Sequence, residues 1–460
     1  MEKENFLKDS VLKIAAPITM QSIFQASFSV IDQIMTGQLG SVSVAGIGLG
    51  SKFASLYSVL LGAVVTAAGI MIAQYVGSRS KKGIQVSLFA NMLIAALIAV
   101  IFTLLSVFLP GQIMSAYSAD GDTVWTAAGY LRILSYGFPA MLIVQFLSML
   151  LCSTNLAKLP MYGSILSIVL NIVLDYTLIF GKGGMPALGV AGAAWATTVA
   201  RMVNALFLAA CFLCAAGHES WNWGIKPEEE QPLQEIRTEE QKSFFKILLP
   251  ILLPILLCEF LWSLGENVYA VIYGRMSTID CAAMTLLNPI QALVIGALSG
   301  LSSAAGILIG KLLGEENYEE AYARSKSLMW YGLIGSGAFS LLLLVIAPYY
   351  VRLFLVEEEV KELTVWILAA FAAVSPLKVQ NMILGGGILR SGGQTKYVLM
   401  VDAIGTWCFG IPLGLLAAFV FSLPIYWVYF ILSLEEGVRL LLSFFVFRRK
   451  KWMQNVSQLP

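Results

Sequence analysis

The sequence predicts an all-α membrane protein of twelve transmembrane helices, arranged as two six-helix bundles. Three observations lead to this prediction. Of the 460 residues, 58% are hydrophobic and only 12% are charged, whereas soluble domains contain about 25% charged residues. Twelve segments reach the roughly 20 apolar residues that a helix needs to cross a bilayer. The two halves of the chain, with six segments each, also resemble one another.

The domain boundaries follow from one polar interval, 217–244, which is rich in Glu, Gln and Pro. It predicts a cytoplasmic linker between an N-terminal lobe at 1–216 and a C-terminal lobe at 245–460, which ends in a basic tail. The predicted spans are 11–36, 47–76, 85–109, 124–151, 159–181, 189–216, 245–271, 284–312, 326–349, 362–389, 396–420 and 424–447.

An internal repeat relates the two lobes. LKIAAPI at 12–18 returns as FKILLPI at 245–251, and Gly77, before a basic loop, matches Gly314, before a charged one. Because each half has an even number of spans, both enter the membrane from the same side. The lobes are then related by a pseudo-two-fold axis along the membrane normal and leave a cleft between them, as in transporters. A duplicated chain forms this cleft alone, so we expect a monomer.

Lysine and arginine predict the orientation, because they concentrate in cytoplasmic loops. With the N-terminus inside, the outside loops contain only Lys182, Arg275, Arg352 and Lys361, whereas the inside loops contain most of the others, Arg390 and the terminal RRKK among them. The sequence therefore predicts a multi-pass protein of the cell membrane with both termini in the cytoplasm.

Composition and motifs argue against two other classes. The formal net charge is +1, which gives no reason to expect a nucleic-acid partner. The chain has one histidine, His218, and lacks HExxH, a Ser/His pairing or a metal-ligand cluster. We therefore expect no enzymatic activity and no cofactor.

Acids inside the predicted spans are the strongest functional signal, since an ionised side chain at the bilayer centre costs about 2.5–3.5 kcal/mol on insertion scales. Asp32 lies in the first span and Asp175 in the fifth, where Asn171 shares its helical face. Both acids lie in the outer half of the membrane, so they could meet. Two carboxylates in a low dielectric need a shared proton or a metal ion, and oxygen ligands suit a hard cation; Na⁺ is our extension of that rule.

Structural roles for these acids are the alternative. Asp32 would be hydrated near the extracellular face or would cap a neighbouring helix. Asn171 and Asp175 would belong to a polar network between spans.

A polar stripe in the first span is a candidate cavity wall. Gln21 and Gln25 share one helical face with Asp32, and Phe28 lies between them. Such a stripe is not expected to face lipid.

A second group of candidates lies on one face of the seventh span. Glu259, Trp262 and Glu266 are spaced i, i+3 and i+7. An acid beside a tryptophan in a cleft suits an organic cation, through charge and cation–π attraction. The alternative is that Glu266 is interfacial and that Trp262 only packs.

Prolines within the spans predict kinks, which would help bundles rock. The clearest are Pro17, Pro250 and Pro254. The sequence assigns no role to three further charged residues in the spans, Asp402, Arg201 and Lys378.

The combined pattern resembles the MATE family of multidrug and toxin extrusion transporters over essentially the whole chain. The resemblance rests on the two halves, PITMQSIFQASFSVIDQIMTGQLG in the first span, NIVLDYTLIFG in the fifth, GVAGAAWATTVAR in the sixth, and an acid followed by Trp in the seventh. It implies antiport, in which an organic, often cationic compound leaves as Na⁺ or H⁺ enters.

The resemblance also implies site residues. Asp32, Asn171 and Asp175 match an N-lobe cation site, which a sixth-span threonine, Thr197 or Thr198, would complete. Glu259 matches a seventh-span acid of the C-lobe, but the tenth span, VSPLKVQNMILGGG, lacks the acid that NorM-like members place there. The alternative function is a flippase for a lipid-linked precursor, which for an anionic headgroup would line its cavity with Arg and Lys.

Overall fold

The structure is a computed structural model that describes residues 12–37, 39, 41–117, 121–216, 238–352 and 358–455. Within these ranges, the side chains of residues 26–34 and 238–247, and of a few single positions, lie outside the description. The described residues form helices joined by short turns and contain no strand.

Eight helices precede the linker. They are α1 Leu12–Gly37, α2 Ser41–Gly77, α3 Lys81–Phe108, α4 Pro110–Ser115, α5 Gly121–Ser135, α6 Phe138–Ser153, α7 Lys158–Phe180 and α8 Val190–Ala216.

Eight further α-helices come next, and the first of them begins within the predicted linker: α9 Thr238–Met276, α10 Thr278–Gly314, α11 Tyr318–Val351, α12 Glu358–Asn381, α13 Thr395–Ala403, α14 Ile411–Leu415, α15 Ile425–Ser433 and α16 Glu435–Arg448. Three π-helical segments, Met382–Leu389, Ile404–Gly410 and Leu416–Val420, continue α12, α13 and α14.

Nine helical segments of the described residues are long and apolar enough to cross a membrane, and the bent pair of α5 and α6 makes a tenth. The two remaining predicted spans coincide with α1, which is only partly described, and with α15 and α16. The predicted span that coincides with α15 and α16 differs from the other spans because α16 contains three charged residues, Glu435, Glu436 and Arg439.

The outer face of α3 shows how a membrane-spanning helix of this chain is built. Phe89, Leu93, Leu97 and Val100 are exposed and follow one another at three- and four-residue spacing, whereas the buried positions include Ala95, Ala99 and other small or polar residues. Small residues at helix contacts and large apolar residues facing outward are typical of helices packed within lipid.

The predicted fourth span is bent by 48° between α5 and α6. Pro139 lies in the first turn of α6, and proline has no N–H to continue the hydrogen bonding of the preceding helix. Pro17, Pro250 and Pro254, by contrast, lie inside α1 and α9, each of which continues through them as a single helix.

The chain divides into two compact units. One comprises Met1–Thr19, Ala73–Arg79 and Gln234–Pro460, and the other comprises Met20–Ile72 and Ser80–Leu233. We call them the C-unit and the N-unit. The ends of two helices from the N-terminal half of the sequence thus pack with the C-unit.

Close helix contacts fix the positions of α7 and α8 within the N-unit. At Gly192 of α8, an added Cβ would lie 2.6 Å from the carbonyl oxygen of Leu178 in α7. Ser167 Oγ donates a hydrogen bond of 3.1 Å to the carbonyl oxygen of Ala200. Gly181, with φ of 66°, ends α7 in the left-handed conformation that glycine adopts without strain.

Candidate functional sites

Asn171 and Asp175 lie one turn apart on α7 and are buried in the N-unit, with exposed fractions of 3% and 0%. Neither the amide oxygen nor the amide nitrogen of Asn171 makes a hydrogen bond within the described part of the chain. Leaving a buried polar group without a partner costs about 1–3 kcal/mol. Any partner of the Asn171 amide therefore lies outside the described residues.

The two candidate threonines of α8 differ in their surroundings. Thr198 is fully buried, and its hydroxyl donates a hydrogen bond of 3.2 Å to the carbonyl oxygen of Ile133. Thr197 is half-buried. Because it is fully buried, Thr198 is the better placed of the two for a buried cation.

Of the four candidates in the first span, the structure describes the side chains of two, Gln21 and Gln25. Asp32 and Phe28 belong to α1, but their side chains lie outside the described residues. Gln21 is half-buried and Gln25 is exposed.

Arg201, on α8 one turn after Thr198, places a cationic side chain in the N-unit. Its Cδ lies 3.6 Å from where a Cβ at Gly137 would be, and its Nη1 is buried and makes no hydrogen bond with the described residues. The absence of a side chain at Gly137 leaves room for the arginine stem.

Glu259 of α9 forms an ion pair within the C-unit. Its Oε1 lies 3.1 Å from Nη1 of Arg390, and Arg390 Nη2 donates to the sulfur of Cys258 at 3.3 Å. The Cys258 thiol in turn donates to Asp402 Oδ2 at 2.9 Å. The structure thus pairs Glu259 with a cation that belongs to the protein.

Trp262 and Glu266, the other two candidates of the seventh span, lie in different surroundings. Trp262 is 45% exposed, as expected for a residue on an outer face. Glu266, two turns after Glu259, lines a cavity of about 210 Å³ in the C-unit.

The walls of this cavity combine acids with aromatic rings. The acidic lining residues are Glu266, Glu435 and Glu436, against one basic lining residue, Lys378. The aromatic lining residues are Tyr269, Tyr273, Phe371 and Tyr429. We call it the C-unit cavity.

Arg439 holds the carboxylates behind the cavity together. Its guanidinium lies 3.5 Å from Glu435, 3.9 Å from Glu436 and 3.8 Å from Asp402, and it also donates to the hydroxyl of Thr406. Arg439 is 7% exposed and the two glutamates are 6% exposed. Buried charges of this kind persist only when they are paired and hydrogen-bonded.

The other partners of the two glutamates are two lining residues of the cavity, Lys378 and Tyr269, and Asn381 of α12. Lys378 Nζ lies 3.9 Å from Glu436, and Asn381 Nδ2 donates to the same carboxylate at 2.8 Å. The hydroxyl of Tyr269 donates to Glu435. Lys378 and Asp402, to which the sequence assigned no role, are therefore members of one network.

Sequence reasoning did not identify Glu435, Glu436 or Arg439. The signal was present in EEGVR at 435–439, where two acids precede an arginine by three and four residues inside a predicted span. That spacing places all three on one helical face.

These features define a class: a polytopic α-helical membrane protein with ionisable groups buried inside its helical units, as in membrane transporters. Comparisons with known proteins identify the family. The family model MatE matches residues 17–177 and 254–416. The chain belongs to the MatE family, which confirms the resemblance to the MATE transporters.

Relatives match nearly the full chain. An uncharacterized transporter, YisQ, of Bacillus subtilis is 24% identical over 97% of this chain and 95% of its own length. A probable multidrug resistance protein, NorM, of Thermotoga maritima is 23% identical over 97% and 93%. The multidrug resistance protein MdtK of Yersinia pseudotuberculosis is 23% identical over 97% and 95%.

Solved structures show the fold. The outward-facing conformation of a multidrug resistance MATE family transporter superposes with a TM-score of 0.81 at 19% identity, covering 96% of each chain. A transporter of the same superfamily from Pyrococcus furiosus, described as having a binding pocket of reverse polarity, gives 0.84 at 19% identity over 100% of this chain and 99% of its own. The all-α membrane class predicted from the sequence is confirmed.

Proposed function

We propose that the protein is a secondary active exporter of organic cations, which it exchanges for Na⁺ or H⁺ by alternating access. It would work in the cytoplasmic membrane with both termini in the cytoplasm. Two relatives described as multidrug resistance proteins, one of them as a probable one, support export of foreign compounds.

The observation that supports a cationic passenger most directly is the lining of the C-unit cavity. Three carboxylates and one ammonium group line the cavity, and four aromatic rings complete its walls. Two of the carboxylates, those of Glu435 and Glu436, also pair with Arg439, which leaves Glu266 as the lining acid most available to a cation. Carboxylates attract a positive charge, and aromatic faces add cation–π attraction of about 0.5–2 kcal/mol per contact. A flippase of an anionic headgroup would need the opposite sign of charge in this position.

The N-unit site supports coupling to a small cation. Asn171 offers an amide oxygen that no described group uses, one turn from the buried Asp175. A carboxylate, an amide oxygen and a threonine hydroxyl form a set of oxygen ligands suited to a hard cation, and the carboxylate can hold a proton instead. Asp32 would be the second carboxylate of this site.

The membrane potential drives export only when the exchange moves net charge. One elementary charge that crosses 100 mV releases about 2.3 kcal/mol, which corresponds to a concentration ratio of about fifty. This voltage contribution applies if the passenger moves without net charge. If a monovalent organic cation exchanges for one monovalent ion, no charge crosses, and only the ion concentration gradient drives export.

The proposal is tested by ethidium transport in liposomes that contain the purified protein, under a Na⁺ gradient and a pH gradient imposed separately. Transport driven by one gradient names the ion. Folded protein that moves no ethidium under either gradient would contradict the proposal, and lipid-linked cargo would then be tested.

Glu266→Gln separates passenger binding from ion coupling. The substitution removes one of the three acids of the C-unit cavity, so we expect the KM for ethidium to rise about five- to tenfold with little change in kcat, equivalent to a loss of about 1–1.4 kcal/mol. The control is Glu362→Gln, which removes an exposed acid of α12. An unchanged KM in Glu266→Gln would exclude the cavity as the binding site for this passenger.

A further inference from the structure

The ends of α2 and α10 cross at two glycines in the C-unit. A Cβ added at Gly77 would overlap the carbonyl oxygen of Lys311, and a Cβ added at Gly314 would overlap the carbonyl oxygen of Gln74. The contact is reciprocal, because in each helix the glycine follows the contacted residue by three positions. Only glycine permits two backbones to approach this closely.

The crossing continues for one further turn into the helices. A Cβ at Gly310 would lie 2.9 Å from the Cβ of Ala73. In the first layer each glycine meets backbone, and in the second a glycine meets an alanine, so no long side chains interlock in these contacts. Such a contact can separate without rearranging large side chains.

Gln74 fastens the end of α2. It is fully buried, and its side-chain nitrogen donates to the carbonyl oxygens of Ser391 at 2.6 Å and Gln454 at 3.1 Å. Asn455 Nδ2 reaches the carbonyl oxygen of Gly314 at 3.5 Å. Residues of the short segment 390–394 and of the C-terminal segment 452–455 thus hydrogen-bond to the ends of both helices at the crossing.

The two glycines occupy matching positions of the internal repeat, each at the end of the second span of its half. A contact between matching positions of a duplicated chain is the intramolecular counterpart of an isologous dimer contact, in which the same patch meets itself. The predicted orientation places both helix ends on the cytoplasmic side.

We propose that the crossing of α2 and α10 at Gly77 and Gly314, fastened by Gln74, is the cytoplasmic gate of the transporter. In the structure this gate is closed, and it must part each time the passage opens to the cytoplasm. The inference rests on the proposed transport function and on the proposed orientation.

A reversible cross-link tests whether the gate must part. In the double variant Ala73→Cys/Gly310→Cys, the Cβ atoms lie close to the 3.5–4.5 Å that a disulfide needs, within a small outward shift. We expect oxidation to reduce ethidium transport to less than about a tenth, and a reductant to restore it. Each single-cysteine variant, which keeps the native cysteines, should transport at the same rate under oxidising and reducing conditions. Full transport by protein that has formed the new disulfide would contradict the assignment of this crossing as the gate.

Hydrogen exchange tests the gate without any substrate, and so distinguishes its failure from failure of the transport function. In Gly77→Ala, the added methyl group pushes the crossing apart, so we expect amide exchange in residues 315–317 to be at least about tenfold faster. Gly62→Ala is the matched control, because Gly62 lies in the same helix and a Cβ there would meet nothing within 4 Å. Equal exchange at 315–317 in the two variants would overturn the proposal.

Discussion

Asp175→Asn is expected to reduce ion-driven ethidium transport to less than about a hundredth while the protein still folds. The carboxylate is fully buried in the N-unit, one helical turn from Asn171. An asparagine has almost the same size but can neither hold a proton nor offer a negative charge to Na⁺. The measurement is the initial rate of transport in liposomes under the gradient that drives the wild-type protein, and Asp32→Asn is expected to behave alike.

Two controls make this result specific. Glu319→Gln removes an exposed acid in the first turn of α11 and should transport like the wild type. Thermal unfolding of Asp175→Asn in detergent should resemble that of the wild type, which separates loss of coupling from loss of fold. Normal coupled transport by both Asp175→Asn and Asp32→Asn would exclude the N-unit site as the coupling site.

Arg439→Met is expected to cause the largest loss of stability. The substitution leaves Glu435, Glu436 and Asp402 without the guanidinium that all three face within 4 Å. Removing one partner of a buried ion pair costs about 3–5 kcal/mol, because a charge stays behind in a medium that solvates it poorly. The measurement is the thermal unfolding midpoint of the purified protein in detergent.

A second substitution should reverse part of that loss. In Arg439→Met/Glu435→Gln, the uncompensated charge next to Tyr269 is removed, while Glu436 keeps Lys378 and Asn381 as partners. We expect the double variant to unfold at a higher temperature than the single one. Arg324→Met is the control, since its pair with Glu320 is a partly exposed i,i+4 pair, worth only about 0.3–0.5 kcal/mol. A midpoint for Arg439→Met equal to that of Arg324→Met would contradict the assigned network.

The family, the helical class and the burial of the fifth-span pair could be predicted from the sequence because they depend on local patterns. Apolar length predicts membrane helices, and i,i+4 spacing places Asn171 and Asp175 on one face. Burial of both side chains agrees with the expectation that an acid in a span faces protein or a cavity and not lipid.

The C-unit network could not be predicted in the same way. Arg390 was counted among the loop residues that set the orientation, yet its side chain pairs with Glu259, 131 positions away along the chain. Spacing along one helix carries no information about a partner on another. The burial of Glu435 and Glu436 was not predicted for a different reason. A charged turn within a mostly apolar segment can be buried by packing against other helices, and the segment alone does not reveal that packing.

Coupling between passenger and ion is the central claim, and it is tested most directly in reverse. Liposomes containing the protein would receive an ethidium gradient alone, without a Na⁺ or pH gradient, while internal pH and uptake of labelled Na⁺ are recorded. The account predicts that ethidium flow drives H⁺ or Na⁺ in the opposite direction, and that Asp175→Asn abolishes this ion movement. Ethidium flow through the wild-type protein without movement of either ion would contradict it.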